Sequence, residues 1–189
     1  MLEGRVCHVD GAQKRLEKMS DIQEYEQLVL ETEAFRDIEM AILKEALLAA
    51  KTRPDAPTGT VEVRDGRILA GFGVVERAAG TDFTFEVLAL VIDRGYAGKG
   101  IGEKLIELLE EAVLAKEDSA ILRFETSDRK IEAMGKGLLP SCGYSLIGHI
   151  ADFYEKGDGY YMYARHLARP KPTGGAPIPE PAVPTERGI

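Results

Sequence analysis

A chain of 189 residues with 44% hydrophobic content can bury one sizeable core, and a formal net charge of -8 speaks against a general nucleic-acid binder. No apolar run approaches the roughly 20 residues that a membrane-spanning helix needs, so no membrane association is expected. The two cysteines, Cys7 and Cys142, lack metal-ligand spacing and no secretory signal pattern opens the chain, so a cytoplasmic setting is expected.

In chain order, residues 5–9 read as a short first strand, and residues 11–19 are polar with no clear period. Ser20-Asp21-Ile22-Gln23 reads as a capping box, in which the serine oxygen and the glutamine side chain each satisfy a free helix-start N–H. It opens a helix to about Glu33. A second helix covers residues 36–51, with Ile38, Ala41, Ile42 and Leu48 among its apolar positions, and Arg53-Pro54 stops it. From Thr60 the period changes to two. Val61 and Val63, then Asp65-Gly66, then Ile68, Ala70, Phe72 and Val74 predict a hairpin that supplies the second and third strands. Ala79-Gly80-Thr81-Asp82 makes a further turn, and residues 83–92 form the fourth strand, whose run 87–92 is apolar and carries β-branched residues.

Gly95, Gly98, Gly100 and Gly102 come next, and Ile101, Leu105, Leu108, Leu109 and Ala112 then recur at helical spacing. The unit is strand, glycine-rich turn, helix. Such a turn brings backbone N–H groups close to a ligand at a helix start, where an anion is favoured, so a phosphorylated ligand is expected. No Gly-Lys-Ser/Thr is present after it, which excludes a P-loop, and Gly-x-Gly-x-x-Gly fits nowhere between Gly95 and Gly102, which excludes the dinucleotide fingerprint.

Residues 120–125 read as the fifth strand. Ser127 or Asp128 caps the next helix, in which Ile131, Met134 and Leu138 hold helical spacing until Pro140. Residues 143–150 and 160–167 make a final strand pair, with aromatic alternation in Tyr160-Tyr161-Met162-Tyr163. His8, His149 and His166 are scattered without ligand partners, so no metal site is expected. Residues 169–189 are rich in proline and read as a solvated tail after a folded domain of residues 1–168.

The unit around Ala97-Gly98-Lys99-Gly100-Ile101-Gly102 resembles the Arg/Gln-x-x-Gly-x-Gly/Ala signature of the GNAT N-acetyltransferase superfamily. The resemblance covers about residues 20–167. It implies an α/β (α+β) fold, with a mixed, mostly antiparallel twisted sheet of about seven strands flanked by helices. It also implies acetyl-CoA as co-substrate. Its pyrophosphate would be held by the loop amides of residues 97–102, and its pantetheine arm and acyl oxygen by the strand around Leu90, Val91 and Ile92. The activity implied is acetyl transfer to a primary amine of a small molecule by direct attack. A protein amine as acceptor and a CoA-binding or regulatory module without much catalysis stay open, as does a homodimer. The chain departs from the family at three positions. Ala97 stands where Arg or Gln is usual, and aligning Gly143-Tyr144 with the family's closing Gly-Phe puts Glu132 at the usual asparagine and Leu139 at the usual tyrosine, the general acid in many members.

Glu86, a carboxylate near the start of an apolar strand and expected on the face of Leu88, Leu90 and Ile92, is the candidate general base. Tyr154, in the segment between the last two strands, is the candidate donor to the departing thiolate, with Tyr144 second. A phenol of ordinary pKa about 10 suits a thiolate near 8.5. Each also reads as a structural residue, Glu86 paired with an arginine and each tyrosine packed with its hydroxyl at the surface. Neither cysteine lies in the glycine turn or the fourth strand, so a covalent acyl-enzyme is not expected.

Overall fold

A computed structural model describes residues 2–6, 14–52 and 58–169, with side chains from residue 22 onward. The elements are β1 (Leu2–Val6), α1 (Lys14–Thr32), α2 (Asp37–Thr52), β2 (Thr58–Asp65), β3 (Ile68–Arg77), β4 (Thr84–Ile92), α3 (Ile101–Leu114), β5 (Ser119–Ser127), α4 (Asp128–Met134), α5 (Leu138–Ser141), β6 (Ser145–Glu155) and β7 (Asp158–Ala168). The strands form one seven-stranded sheet in the order β1-β2-β3-β4-β5-β7-β6. Every pairing is antiparallel except that of β4 with β5.

Two helical layers sandwich the β1–β4 half of the sheet. On one face α3 buries Ile101, Leu105, Ile106, Leu108, Leu109 and Val113 against Val61, Val63, Phe85 and Val87. Each such side chain, fully buried, contributes about 1.5–3 kcal/mol. The close approach is made by Gly71 and Gly73 of β3, where an added Cβ would lie 3.0 Å from Leu105 Cδ1 and 3.0 Å from Leu109 Cδ1 respectively. On the other face α1 and α2 bury Tyr25, Val29, Leu43 and Leu47 against Phe72, Val74, Ala89 and Val91.

Local sequence misjudged several boundaries. The first strand is Leu2–Val6, and residues 7–9 lie outside the described residues, as do residues 53–57 with Pro54 and residues 170–189 of the proline-rich tail. Ser20 is not a cap, because α1 begins at Lys14 and carries it in the interior. In α2 the core face is Leu43, Ala46, Leu47 and Ala49, whereas Ile38 and Ile42 are 66% and 52% exposed. The helix expected over residues 128–140 is two helices, broken where Gly135 and Gly137 take φ of 104° and 91°. Ser127 is the cap of the first, accepting from Lys130 N–H at 3.5 Å.

Two irregularities of β4 determine where its backbone and side chains point. Its parallel pairing with β5 runs only from Thr84↔Ile121 to Val87↔Phe124, so beyond Val87 the two strands part. Against β3, Val74 faces Ala89 while Val75 faces Val87, which leaves Leu88 as the extra residue of a β-bulge. The bulge changes which face each side chain takes. Leu90 packs with Val87 in the α3-side core, and Leu88 packs with Ala89 and Val91 under α1 and α2.

Candidate active site

The open wedge between β4 and β5 exposes backbone. Asp93 N–H donates to Ala70 C=O at 3.0 Å, so by strand alternation Val91 also turns its N–H and C=O to β3. Leu90 and Ile92 turn theirs the other way, into the wedge. Of the three strand residues expected to serve a ligand, two therefore present their amides and Val91 does not. Thr126 lies on the β5 side beyond the last pairing, and its buried Oγ1 has no hydrogen-bond partner.

Beyond β4 the chain makes a 3-10 turn, Arg94–Tyr96, capped by the Asp93 carboxylate, which accepts from Gly95 N–H at 2.6 Å. Gly98 and Gly100 then take φ of 71° and 79°, a conformation that costs a residue with a Cβ roughly 1–2 kcal/mol. Gly100 is the N-cap of α3 and offers no side chain, and the first intrahelical bond is Lys104 N–H to Gly100 C=O. The N–H groups of Gly100, Ile101, Gly102 and Glu103 consequently have no intrahelical acceptor and carry the positive end of the helix dipole. Gly102 lets the Leu138 side chain pack close against the start of α3. A Cβ there would lie 2.6 Å from Leu138 Cδ2. Ala97 is exposed and donates its N–H to Arg94 C=O, so the loop keeps its shape without a side chain at that position. Lys99 folds back on the turn, with Nζ donating to Gly95 C=O at 2.9 Å and lying 4.6 Å from the Tyr96 ring centroid.

A cleft of about 780 Å³ runs along this loop. That is within the roughly 300–1,000 Å³ usual for ligand sites. Its walls are the turn between α1 and α2 (Thr32, Glu33, Ala34), the loop residues including Gly98, Gly100 and Gly102, and the α4–α5 segment from Arg129 to Ser141. Arg94 ties the first wall to the second by donating to Thr32 C=O at 2.9 Å. The rim carries charge of both signs, Arg94, Arg129 and Lys136 alongside Glu33, Asp93, Glu103 and Glu132, which the glycine pattern does not signal.

The face of β5 and β7 not covered by α3 carries a polar network. Arg123 Nη2 donates to Glu86 Oε2 at 2.7 Å and lies 3.2 Å from Glu125 Oε1. Burial opposes the charge of Arg123, but the hydrogen bond and charge of Glu86, with the charge of Glu125, outweigh it and raise the guanidinium pKa. The pKa of Tyr160, on the same face, is pushed up to about 12, first by burial and then by the charge of Glu125. Tyr160 and Tyr154 have ring centroids 6.4 Å apart. The Arg36 guanidinium sits 3.9 Å over the Tyr154 ring while it pairs with Asp158. Burial and the charge of Glu39 hold the Tyr154 phenol above its ordinary pKa, against the opposing pull of Arg36.

The structure thus brings Glu86 and Tyr154 into one network, with Arg123, Glu125, Tyr160 and Arg36 between and around them. None of these four was legible as a functional residue in sequence, because they come from β5, β7 and the turn before α2, segments that meet only in the fold. Glu86 shares its face with Leu88, as expected, but the bulge puts Leu90 and Ile92 on the opposite one. Tyr144 lies apart from the network. It is 3% exposed in the α3-side core, edge-on to Phe124, and donates to Glu110 Oε1 at 3.0 Å. Burial first, and then Glu110, hold its phenol far above the ordinary range. We assign it to packing. Leu139, aligned with the family tyrosine, is 2% exposed in the same core, while Glu132 lines the cleft.

Known proteins share this outline. The sequence profile of the acetyltransferase (GNAT) family matches residues 20–134. The chain belongs to the GNAT acetyltransferase family. Among solved structures, a GNAT-family protein from Desulfovibrio desulfuricans superposes with a TM-score of 0.72 at 18% identity, over 89% of this chain and 100% of that one. An aminoglycoside 6'-N-acetyltransferase in complex with coenzyme A gives 0.64 at 16% identity, over 88% and 99% of the two chains. The ribosomal-protein-S18-alanine N-acetyltransferase of Escherichia coli gives 0.60 at 11% identity, over 93% and 100%. At these identities the likeness is one of fold. No curated protein sequence matches the chain. Among the described residues of this GNAT domain no helix is long and apolar enough to cross a membrane.

Proposed function

We propose that this GNAT domain moves the acetyl group of acetyl-CoA to a primary amine of a small molecule by direct attack. The observation that carries the reading is the parting of β4 from β5 beside a glycine turn of free N–H groups. One linear ligand with a diphosphate at one end and amides along its arm would satisfy both. The residues present fit acetyl-CoA. The N–H groups from Gly100 to Glu103, with the dipole of α3, suit its pyrophosphate. The turned-out amides of Leu90 and Ile92 and the orphaned Thr126 Oγ1 suit the pantetheine arm. The coenzyme A in the aminoglycoside acetyltransferase of the same fold supports this choice.

In this reading the wedge holds the thioester at the vertex, where one amide turned out from β4 donates to the oxygen that gains charge as the amine attacks. The acceptor approaches over the Glu86 face, and the proton it sheds enters the Glu86–Arg123–Glu125 network. A tyrosine of that network or water protonates the departing thiolate, with Tyr154 lining the acceptor side. A protein amine is the second reading, favoured by one observation. The acceptor side is not enclosed, since Tyr154 is 37% and Phe153 54% exposed.

The test is free-thiol release from acetyl-CoA over a panel comprising an alkylamine, an aromatic amine, a polyamine, amino acids and a lysine-containing peptide. Amine-dependent thiol release on at least one small amine is expected. Turnover confined to the peptide would select the second reading. Binding of acetyl-CoA without turnover on any member would make the domain a CoA-binding module.

A further inference from the structure

We propose that the acceptor is a monoamine carrying an aromatic ring, seated on a platform of Phe153, Tyr154 and Tyr160 beside Glu86, Arg123 and Glu125; this rests on the acetyltransferase reading and names its substrate class. The platform is made by a break in β6. Ile150 faces Tyr160 and Glu155 faces Asp158, so residues 151–154 stand against Gly159 alone. Asp152 takes a φ of 53° there, and its Oδ1 accepts from Gly157 N–H at 2.6 Å. Successive side chains of a regular strand point to opposite faces. Here Phe153 and Tyr154 both reach Tyr160, with ring centroids 5.2 Å and 6.4 Å from its ring and 4.9 Å from each other. Tyr163 packs with Phe124 on the α3-side core, so by alternation Tyr160 points to the other face, which carries Arg123 and Glu125. The rings are held but not covered. The Arg36 guanidinium lies 3.9 Å over the Tyr154 ring while it pairs with Asp158, which fixes that ring before a ligand arrives. Phe153 stays 54% exposed, and Ile150, opposite Tyr160, 52%. Rings in contact with one another leave no room for an ammonium between them, so they offer a surface to a flat apolar group and not a cage to a cation.

Charge decides what that flat group is attached to. Arg123 is a single cation between two carboxylates, 2.7 Å from Glu86 and 3.2 Å from Glu125, which leaves one negative charge in surplus. The carboxylates nearer the rings are matched: Asp158 pairs with Arg36, Glu39 with Lys130 at 2.6 Å and Glu155 with Arg129. One ammonium is therefore favoured, and a second would have to displace a cation already in place. Glu125 faces Met162 on β7, so Tyr160 is its diagonal neighbour on the same face, roughly 7–8 Å away. A short alkyl link between ring and nitrogen spans that step. Bound as the ammonium, the acceptor gives one proton to solvent before attack. The bond from nitrogen to the acetyl carbon forms as the bond from that carbon to sulfur breaks, and the second proton the nitrogen sheds ends on the CoA thiol.

The experiment measures kcat/KM of the whole chain by thiol release from acetyl-CoA with phenylethylamine, propylamine, pentylamine and diaminopentane. Phenylethylamine is expected to exceed propylamine by at least about tenfold, and diaminopentane to fall severalfold below pentylamine. Phe153→Ala is expected to cut the ratio of phenylethylamine to propylamine by about fivefold or more, an effect that a merely structural loss, which lowers both together, would not produce. Phe153→Leu, which keeps apolar area without a ring, is expected to recover part of that ratio and serves as the test if the alanine variant does not fold. Phenylethylamine within about threefold of propylamine, or a ratio unchanged in both variants, would overturn the platform and leave the acetyltransferase reading standing. So would preference for diaminopentane, turnover confined to a lysine-containing peptide, or a self-association in sedimentation that Phe153→Ala abolishes, which would give the platform to a second copy of the chain. Absence of turnover on every amine and peptide would overturn the acetyltransferase reading, and the platform with it.

Discussion

Glu62→Ala is expected to lower the melting temperature by roughly 6–20 °C. The side chain is 1% exposed in the middle of β2, where Tyr25 donates to it at 2.7 Å and Arg64 at 3.0 Å. Arg64 reaches on to Glu24 at 2.7 Å, and Lys51 lies 4.9 Å over the Tyr25 ring, so one buried carboxylate joins α1, α2 and the sheet. Its removal deletes the carboxylate to which the buried Tyr25 phenol and one edge of the Arg64 guanidinium donate, on top of a cavity. Breaking a buried pair from one side costs about 3–5 kcal/mol, and in a domain of this size each kcal/mol moves the melting temperature by roughly 2–4 °C. Tyr25→Phe, which removes only a hydrogen bond to a charged group, is expected to cost about 1.5–3 kcal/mol. Thermal unfolding of the two variants followed by circular dichroism is the check, and equal, small shifts would show that Glu62 is solvated in a way its burial does not suggest.

The second large effect is on ligand binding. Gly100→Val places a β-branched residue at φ of 79° in the turn that aims the α3 N-terminal amides. The loop is expected to leave that conformation. The global cost is small because nothing lies within 4 Å of the position an added Cβ would take. The variant should therefore melt within a few degrees of the parent and yet lose more than about tenfold in acetyl-CoA affinity, measured by calorimetry. Gly102→Val separates the two roles of the glycines, since its Cβ meets Leu138 and is expected to cost stability as well.

Cofactor side and acceptor side differ in how far they are legible in the sequence. The hairpin at Asp65-Gly66, the fourth strand and the turn from Gly95 to Gly102 are contiguous patterns whose local chemistry dictates a shape, and each is readable along the chain. The bulge at Leu88 is not, because it exists only in the register between β3 and β4, and it decides that Glu86 sits on the α1 and α2 face without Leu90. Gly71 and Gly73 read as weak strand residues until α3 is seen lying in the notch they make. The network of Arg36, Arg123, Glu125 and Tyr160 joins residues up to 124 positions apart in number, which no window along the chain can bring together. Ser20 failed as a cap for a related reason. A capping pattern is a local preference, and the helix that begins at Lys14 overrides it.

If the wedge and the glycine turn bind acetyl-CoA, titration calorimetry of the whole chain with acetyl-CoA shows it directly. Saturable binding is expected, together with a rise in melting temperature of roughly 5–11 °C at about 100 times the dissociation constant, which corresponds to a stabilisation of about 2.7 kcal/mol. Gly100→Val should bind more than about tenfold more weakly and show a correspondingly smaller thermal shift at the same acetyl-CoA concentration. Absence of both heat and thermal shift in the parent chain at millimolar acetyl-CoA would contradict the account, leaving a turn shaped like a phosphate cradle that holds no such ligand.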